Sequence, residues 1–183
     1  QSRAEPSQTQ SLAQMNAEAA AFYRRLLFSD EGKTARAYLK DRQLGEKEAI
    51  RFGLGYAPAD WSRLFAHLRD KGYSERDILA SGLALARERG GGYDRFRKRL
   101  IFPIFDMQER IIGFGGRALA EDDQPKYLNS PETPLFQKGR VLYGLSWAAR
   151  AIADKKRALF VEGYFDLIRC HLHGFEEAVA TLG

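Results

Sequence analysis

The residues most suited to chemistry in this 183-residue chain are two carboxylates near its carboxyl end. Glu162 directly follows a short apolar run, residues 158–161, and is followed in turn by Gly163. A parallel sheet places its ligands at the carboxyl ends of its strands, and a glycine there lets the chain turn into a helix. A carboxylate at such an edge acts as a general base or holds a divalent metal ion. Asp166 is expected in the first turn of the helix that follows.

Each carboxylate also has a purely structural interpretation. Glu162 fits a plain loop carboxylate, and Asp166 fits a charge that only complements the helix dipole. Catalytic two-metal sites need several carboxylates, normally from several strand ends. Because this region supplies only two, we expect Glu162 and Asp166 to form an incomplete metal site.

A second feature is a run of arginines at alternate positions, Arg95, Arg97 and Arg99. In an extended chain, residues two apart lie about 6.6 Å apart on one face, so the three guanidinium groups would form a row. Phe96 and Leu100 would then turn toward the core. Such a row suits phosphates that are bound bidentately. The alternative is a solvated strand face.

Basic and polar residues further along the chain favour a basic groove. Lys126, Lys138 and Arg140 add positive charge. Tyr127 is suited to stacking on a base, and Asn129 to contacting a base edge or a phosphate. Both residues fit loop scaffolding as well. The pattern therefore predicts a nucleic-acid surface and leaves the scaffolding alternative open for these two.

Two other patterns carry less chemistry. Residues 113–118 match the loose dinucleotide-binding pattern G-x-G-x-x-A, but the sequence leaves little room for the helix that this pattern needs. Their glycines instead predict a bend or a close backbone approach, with Arg117 at a strand end. Two of the histidines, His171 and His173, are predicted to lie on different faces of one helix, where they cannot readily share a metal ion. With His67, they are predicted to be surface or boundary residues.

Composition narrows the class of protein. Hydrophobic residues make up 44% and charged residues 29%, as in globular domains. The longest apolar runs are far shorter than the roughly 20 residues of a membrane span. The net charge of +5 mildly favours polyanionic partners. The lone cysteine, Cys170, excludes an internal disulfide and a Cys-rich zinc module, and it is predicted to be buried.

Apolar spacing predicts that most of the first 80 residues are helical. Polar residues 1–11 are typical of a linker, and Ser11 with Gln14 forms a capping box for the first helix. The apolar stripe of this helix is predicted to contain Leu12, Met15, Ala19, Phe22 and Leu26. Further helices are predicted over 31–42 and over 46–52. Another is predicted from an Asp60 cap to Gly72, with Trp61, Leu64, Phe65 and Leu68 inward. The last is predicted over 74–80, from a Ser74–Asp77 capping box.

The second half of the chain predicts strands and a βαβ unit. Its predicted elements are an antiparallel hairpin of 99–105 with 110–116, an extended segment 126–130, a helix 146–155, and then strand 158–161, helix 164–173 and strand 178–182. Their apolar composition predicts a parallel pair that is buried on both faces. The fold class is therefore α/β, with helices, then antiparallel strands, then βαβ. Because the chain stops directly after an apolar strand, we expect it to be an excised fragment.

Six strings, in family order, carry a resemblance to a known family. Over residues 20–183 the chain resembles the RNA-polymerase core of bacterial replicative DNA primases of the DnaG type. The strings are FGLGYAP (52–58), YDRFRKRLIFPI (93–104), IIGFGGRAL (111–119), PKYLNSPET (125–133), FQKGRVLYGL (136–145) and VEGYFD (161–166).

The resemblance implies an α+β subdomain over residues 12–155 that leads into a truncated Toprim domain over 156–183. It implies synthesis of short RNA primers on single-stranded DNA, from nucleoside triphosphates with Mg²⁺ or Mn²⁺. It implies a cytoplasmic, nucleoid-associated bacterial protein with no membrane partner. The family's later Toprim carboxylates, its zinc-binding module and the region that binds the replicative helicase fall outside this chain, so we expect the fragment alone to be inactive.

The resemblance also assigns residues. Glu162 corresponds to the Toprim glutamate and Asp166 to the aspartate that follows it. The template- and nucleotide-binding residues that it implies are Arg42, Arg95, Arg97, Arg117, Lys126, Asn129 and Lys138. For Arg42, an arginine near a helix C-terminus is the structural alternative. Two other functions remain open: another Toprim enzyme, such as a topoisomerase or nuclease, and a non-catalytic module that binds single-stranded DNA.

Overall fold

A long first helix packs across the sheet of the protein. The computed structural model describes residues 8–182 and places α1 over Gln8–Leu27. The predicted apolar stripe of this helix is confirmed, because all five of its residues are buried. The helix begins before Ser11, so the predicted Ser11–Gln14 capping box is wrong. Residues 8–11 of the predicted linker are helical, and residues 1–7 lie outside the described residues.

The four other helices predicted in the first 80 residues are confirmed. They are α2 (Lys33–Lys40), α3 (Glu46–Arg51), α4 (Arg63–Asp70) and α5 (Glu75–Ala80). The Ser74 hydroxyl accepts a hydrogen bond from the Asp77 amide at 3.1 Å, as predicted for a cap. The predicted start of α4 is wrong, because Asp60 and Trp61 precede the helix and the Trp61 side chain is 61% exposed.

Short strands precede the main hairpin. They are β1 (Gly55–Ala57), β2 (Ala84–Ala86) and β3 (Gly92–Asp94), and the last two pair with each other. The predicted antiparallel hairpin is confirmed as β4 (Arg99–Phe105) and β5 (Ile111–Ala118), and the extended segment contains β6 (Tyr127–Asn129). The four-stranded sheet has the order β1-β4-β5-β6.

The sheet is covered on both faces, and the side chains of β4 alternate between two hydrophobic cores. Ile101 packs with the α1 residues on one face, while Leu100 and Phe102 pack with Tyr164 and Leu167 on the other. Alternate residues of a strand point to opposite faces, so a strand buried on both sides is apolar throughout. Pairing in β5 and β6 sets Gly115 opposite Asn129.

The predicted βαβ unit is confirmed at the end of the chain. It follows α6 (Leu145–Lys155) and consists of β7 (Leu159–Val161), α7 (Tyr164–Leu172) and β8 (Ala178–Ala180), with β7 and β8 parallel. The prediction that both strands are buried on both faces is wrong for β7, where Phe160 is 63% exposed. Within the described residues β7 pairs only with β8.

The histidines and the cysteine near this unit take different environments. His171 is buried against β8, with its Nε2 2.9 Å from the Ala178 carbonyl oxygen, so its predicted surface or boundary position is wrong. His67 and His173 fit the prediction, since one is half-buried and the other exposed. Cys170 is half-buried rather than buried, and desolvation raises the pKa of its thiol.

The order of helices, antiparallel strands and a βαβ unit gives the predicted α/β class. None of the helices found between residues 8 and 182 combines the length and the apolar character needed to cross a bilayer.

Candidate active site

The two predicted carboxylates line one cavity of about 300 Å³, here called the carboxylate pocket. Its walls come from β6, from the turn between β7 and α7, and from the residues after β8. The lining residues are Tyr127, Asn129, Glu162, Gly163, Tyr164, Asp166, Thr181 and Leu182. The structure thus brings four sequence-predicted residues together, namely Glu162, Asp166, Tyr127 and Asn129.

A tight turn presents both carboxylates. Glu162 follows β7 directly, Gly163 is the N-cap of α7, and Asp166 lies in the first turn of that helix. A Cβ atom on Gly163 would lie 3.0 Å from Asp166 Oδ2, so glycine leaves room for the carboxylate to fold back over the turn. Both carboxylates are exposed to the pocket and to solvent.

The carboxylate pocket fits a magnesium site in chemistry but supplies few ligands. Carboxylate oxygens are ligands that Mg²⁺ prefers, and this ion usually retains waters and substrate phosphates as well. Among residues 8–182, no group of three or more His, Cys, Asp or Glu side chains is placed to hold a metal ion. Glu162 and Asp166 supply carboxylates suited to a metal ion, and the incomplete metal site stays a prediction.

Two arginines and two tyrosine rings stack alternately up to the edge of the carboxylate pocket. These four residues, here called the arginine ladder, are Arg42, Tyr38, Arg117 and Tyr127. The Arg42 guanidinium carbon lies 3.6 Å from the centroid of the Tyr38 ring. The Arg117 guanidinium carbon lies 5.6 Å from Tyr38 and 5.3 Å from Tyr127. Stacking on rings holds and orients a guanidinium. Arg117 is buried and its Nη1 donates to the Ala118 carbonyl, so its other N–H groups are the ones left for an anion. Arg42 also donates to the Tyr38 carbonyl, consistent with its structural alternative.

Three arginines line a second cavity of about 370 Å³, here called the basic groove, together with Lys98 and Trp61. The three are those predicted to form a row, Arg95, Arg97 and Arg99, but the row itself is wrong. Residues 95–98 lie outside any strand, and Lys98 has a left-handed φ of 51°. Arg99 is buried, and its guanidinium donates at 3.5 Å to the carbonyls of Gly116 in β5 and of Lys126 just before β6.

Strand β6 lies between the two cavities. Leu128 lines the basic groove, whereas its neighbours Tyr127 and Asn129 line the carboxylate pocket. This division follows from the alternation of side chains along a strand. The Asn129 backbone oxygen also accepts hydrogen bonds from Arg95, at 3.1 Å from Nε and 3.0 Å from Nη2. The two cavities are thus separated by a single strand.

The two predicted lysines, Lys126 and Lys138, lie at the margins of the two cavities. Lys126 is exposed immediately before β6. Lys138 begins a short 3₁₀ turn, and it lines a third cavity of about 440 Å³ that shares Thr181 and Leu182 with the carboxylate pocket. Arg140 is exposed in the same turn. The basic residues therefore surround the pocket and the groove rather than forming one continuous patch.

Residues 22–149 match the family described as "DNA primase catalytic core, N-terminal domain". The chain belongs to this family. It is 48% identical over 180 residues to the DNA primase of Synechococcus elongatus, covering 97% of this chain and 26% of the relative. It is 41% identical over 182 residues to the DNA primase of Escherichia coli, covering 100% of this chain and 31% of the relative. The chain thus spans about a quarter to a third of these primases.

Solved primase structures share the fold. The RNA polymerase domain of Mycobacterium tuberculosis primase DnaG has a TM-score of 0.90 and 42% identity, covering 94% of this chain and 56% of that one. A DnaG primase catalytic domain bound to single-stranded DNA has a TM-score of 0.87 and 41% identity, covering 96% of this chain and 56% of that one. These likenesses agree with the α/β class of the primase core.

Sequence reasoning missed Trp61 in this primase core. Its ring lies at the rim of the basic groove, with the Arg97 guanidinium carbon 4.1 Å from its centroid and the Tyr93 ring 5.8 Å away. The predicted helical stripe had assigned Trp61 to the core. The only local signal for exposure was its place directly after the predicted Asp60 cap.

Asp94 was also missed, and it organises the rim of the groove. Its carboxylate accepts the Leu64 and Phe65 amides at 2.8 Å each, which caps α4 in place of the Ser62 side chain. Its own amide donates to the Trp61 carbonyl at 2.6 Å, and its carbonyl accepts from Arg97. Burial raises the pKa of this carboxyl to about 6.

The glycines of the 113–118 string serve packing. They lie inside β5, without a following helix, so the dinucleotide-binding interpretation is excluded. A Cβ on Gly115 would lie 2.2 Å from the Tyr164 ring, and one on Gly116 would lie 2.8 Å from Phe96. The predicted close approach is confirmed, and Arg117 lies near the end of the strand as expected.

Proposed function

We propose that this chain is a segment of a primase, a DNA-directed RNA polymerase that makes short RNA primers on a single-stranded DNA template during replication. The observation that carries the proposal is the position of β6 between the basic groove and the carboxylate pocket. A template bound in the groove would lie one strand away from carboxylates suited to nucleotidyl transfer.

The basic groove is the proposed template site. Arg95 and Arg97, with Lys126 beside them, bind phosphates, and Trp61 offers a ring on which a base stacks. Support comes from the DnaG primase catalytic domain whose structure is bound to single-stranded DNA, and from the M. tuberculosis relative in complex with double-stranded DNA. Binding of this kind tracks the DNA backbone and is weakly dependent on sequence.

The carboxylate pocket with the arginine ladder is the proposed nucleotide site. The arginines of the ladder, Arg42 and Arg117, neutralise the triphosphate, and Tyr127 stacks against the nucleotide. Lys138 approaches from the neighbouring cavity, and Asn129 lines the pocket floor. The two arginines, Tyr127 and Lys138 hold and orient a nucleoside triphosphate next to the carboxylates.

Glu162 and Asp166 are the proposed catalytic and metal-binding carboxylates. A bound Mg²⁺ or Mn²⁺ ion would stabilise the negative charge that develops on the phosphates during transfer. Magnesium sites rarely consist of two carboxylates alone. We therefore expect this chain by itself to bind magnesium weakly and to make no primer, with the remaining ligands supplied by other parts of the full-length primase.

Further partners follow from the family. A primase of this type works with nucleoside triphosphates and a replicative helicase in the bacterial cytoplasm at the nucleoid, and the helicase contact would lie in another region. A zinc-binding domain is named in the Aquifex aeolicus primase structure, which shares 37% identity with this chain. Because this chain has a single cysteine, zinc would belong to a separate module.

The decisive experiment compares Glu162→Gln with the unchanged residue in the full-length primase. Primer synthesis from labelled nucleotides should collapse, while binding of single-stranded DNA and the circular dichroism spectrum persist. Near-normal synthesis would overturn the catalytic role of Glu162 and favour its interpretation as a structural loop carboxylate. Absence of primer synthesis by the unchanged protein would favour a binding module. Cleavage of DNA without added nucleotides would instead favour a topoisomerase or nuclease.

The isolated chain gives a second test. Titration with Mg²⁺ or Mn²⁺ in a calorimeter should reveal only weak binding, and a priming assay should yield no product. Micromolar metal binding or a template-dependent product would show that the active centre is complete within this chain and that the incomplete site is wrongly assigned.

A further inference from the structure

We propose that Asn129 is a positioning residue that holds the carboxylate turn, residues 162–166, against the strand that borders the basic groove. The inference rests on the proposed function of that turn. Its geometric basis is a pair of hydrogen bonds: Tyr164 Oη donates to Asn129 Oδ1 at 2.6 Å, and Asn129 Nδ2 donates to the Leu182 carbonyl at 2.6 Å. One amide side chain thus joins β6 to the start of α7 and to the residues after β8.

Tyr164 transmits this restraint because its ring is fixed on several sides. It stacks on Phe102 with centroids 4.6 Å apart, and the edge-to-face contact with Tyr143 has a centroid separation of 4.7 Å. It also occupies the space that a side chain at Gly115 would fill. Tyr164 is itself buried among these groups.

The backbone of Asn129 completes the link on the groove side. Its carbonyl oxygen accepts two hydrogen bonds from Arg95, so one residue contacts both the carboxylate turn and a template-binding arginine. Glu162 and Asp166 each lie two residues from Tyr164. A misplacement of about 1 Å at a reacting group costs up to about 100-fold in rate. Asn129 therefore affects catalysis by positioning the carboxylate turn, even without contacting substrate.

The test uses Tyr164→Phe, which removes one buried hydroxyl and leaves the Asn129 amide and its exposed face unchanged. Tyr143→Phe is the matched control, because the Tyr143 hydroxyl is also buried but has no hydrogen-bond partner within residues 8–182. In the isolated chain, hydrogen exchange of the amides over 163–168 should become about 2- to 10-fold faster in Tyr164→Phe, the range expected for one lost hydrogen bond. Tyr143→Phe should leave exchange there unchanged.

The kinetic test uses the full-length primase. In Tyr164→Phe and in Asn129→Ala, kcat for primer synthesis should fall on the order of tenfold, while KM for nucleotide and Kd for template stay within about twofold. The double variant should be no slower than Asn129→Ala, because both changes break one bridge.

The outcomes separate the two proposals. Suppose that Glu162→Gln abolishes synthesis but that Tyr164→Phe matches Tyr143→Phe in hydrogen exchange and in kcat. The positioning role of Asn129 is then wrong, and the proposed function stands. If the two single changes multiply in the double variant, or if Asn129→Ala mainly raises KM, Asn129 contacts nucleotide directly and positioning is wrong. Absence of primer synthesis by the unchanged full-length protein would overturn the proposed function itself. Should Asn129→Ala fail to fold, Tyr164→Phe decides alone.

Discussion

The guanidinium carbon of Arg97 lies 4.1 Å from the centroid of the exposed Trp61 ring, at the rim of the basic groove. The contact brings a positive charge and a flat aromatic surface together, and Asp94 holds both through its backbone. Charge and stacking respond differently to salt, because only phosphate contacts release counterions. The two residues can therefore be tested separately.

Replacing Trp61 with Ala should weaken binding of single-stranded DNA by about 1–3 kcal/mol, the range for loss of one stacking ring. The slope of log K against log salt should not change, because no charge is lost. Fluorescence anisotropy at four or more salt concentrations measures both quantities. Met107→Ala, at an exposed apolar residue in the β4–β5 turn, is the control and should bind normally. Unchanged affinity for Trp61→Ala would exclude stacking on this ring.

Replacing Arg95 and Arg97 together with Ala should reduce the steepness of the salt dependence by about 1.4, since each single-strand phosphate contact contributes about 0.7. The same anisotropy titrations measure it. Arg150→Ala on α6 is the charge control, because its side chain is 94% exposed and lies outside the groove. If the double variant keeps the original slope and affinity, these arginines do not contact phosphate.

A Gly115→Ala substitution should destabilise the protein, because its Cβ would lie 2.2 Å from the Tyr164 ring. Overpacking of this kind costs about 1–3 kcal/mol, seen as a lower urea midpoint. Gly139→Ala is the matched control, since a Cβ there would meet nothing within 4 Å. Equal midpoints for the two variants would show that Tyr164 moves freely out of the way.

Glu177 should make the stability of the βαβ unit depend on pH. Its buried carboxylate binds Lys155 at 2.6 Å and Arg157 at 2.7 Å. The hydrogen bonds from Lys155, from its own backbone amide and from Arg157 lower its pKa from 4.5 to about 2. A depressed folded pKa means that the ionised carboxylate stabilises the fold above about pH 4.5, and that this contribution is lost as the pH falls through about 2.

Glu177→Gln should therefore lower the urea midpoint at pH 7, and the deficit should shrink as the pH approaches 2. Urea unfolding at pH 7, 4 and 2.5 would measure this trend. A deficit that is independent of pH would assign the effect to packing of the side chain and not to its charge.

Local interactions allowed much of the fold to be predicted from the sequence. The stripe of α1, the Ser74 cap and the β4–β5 hairpin each depend on residues within one element or turn, as does the turn that presents Glu162. The periodicity of the chain fixes such features before any long-range contact forms. The gathering of Glu162 with Tyr127 and Asn129 in one pocket was not predicted, since their spacing along the chain does not bring them together.

The tertiary structure decided the features that depend on partners distant in sequence. α4 begins where Asp94, about 30 residues away, caps it, and this leaves Trp61 exposed at the groove. Asn129 gains its partners Tyr164 and Leu182 from 35 and 53 residues away. The sequence established which side chains carry charge or rings, because that is set by composition and short-range pattern. Tertiary packing decided which of these side chains position another residue, which cap a helix and which stay exposed. No local pattern encodes that packing.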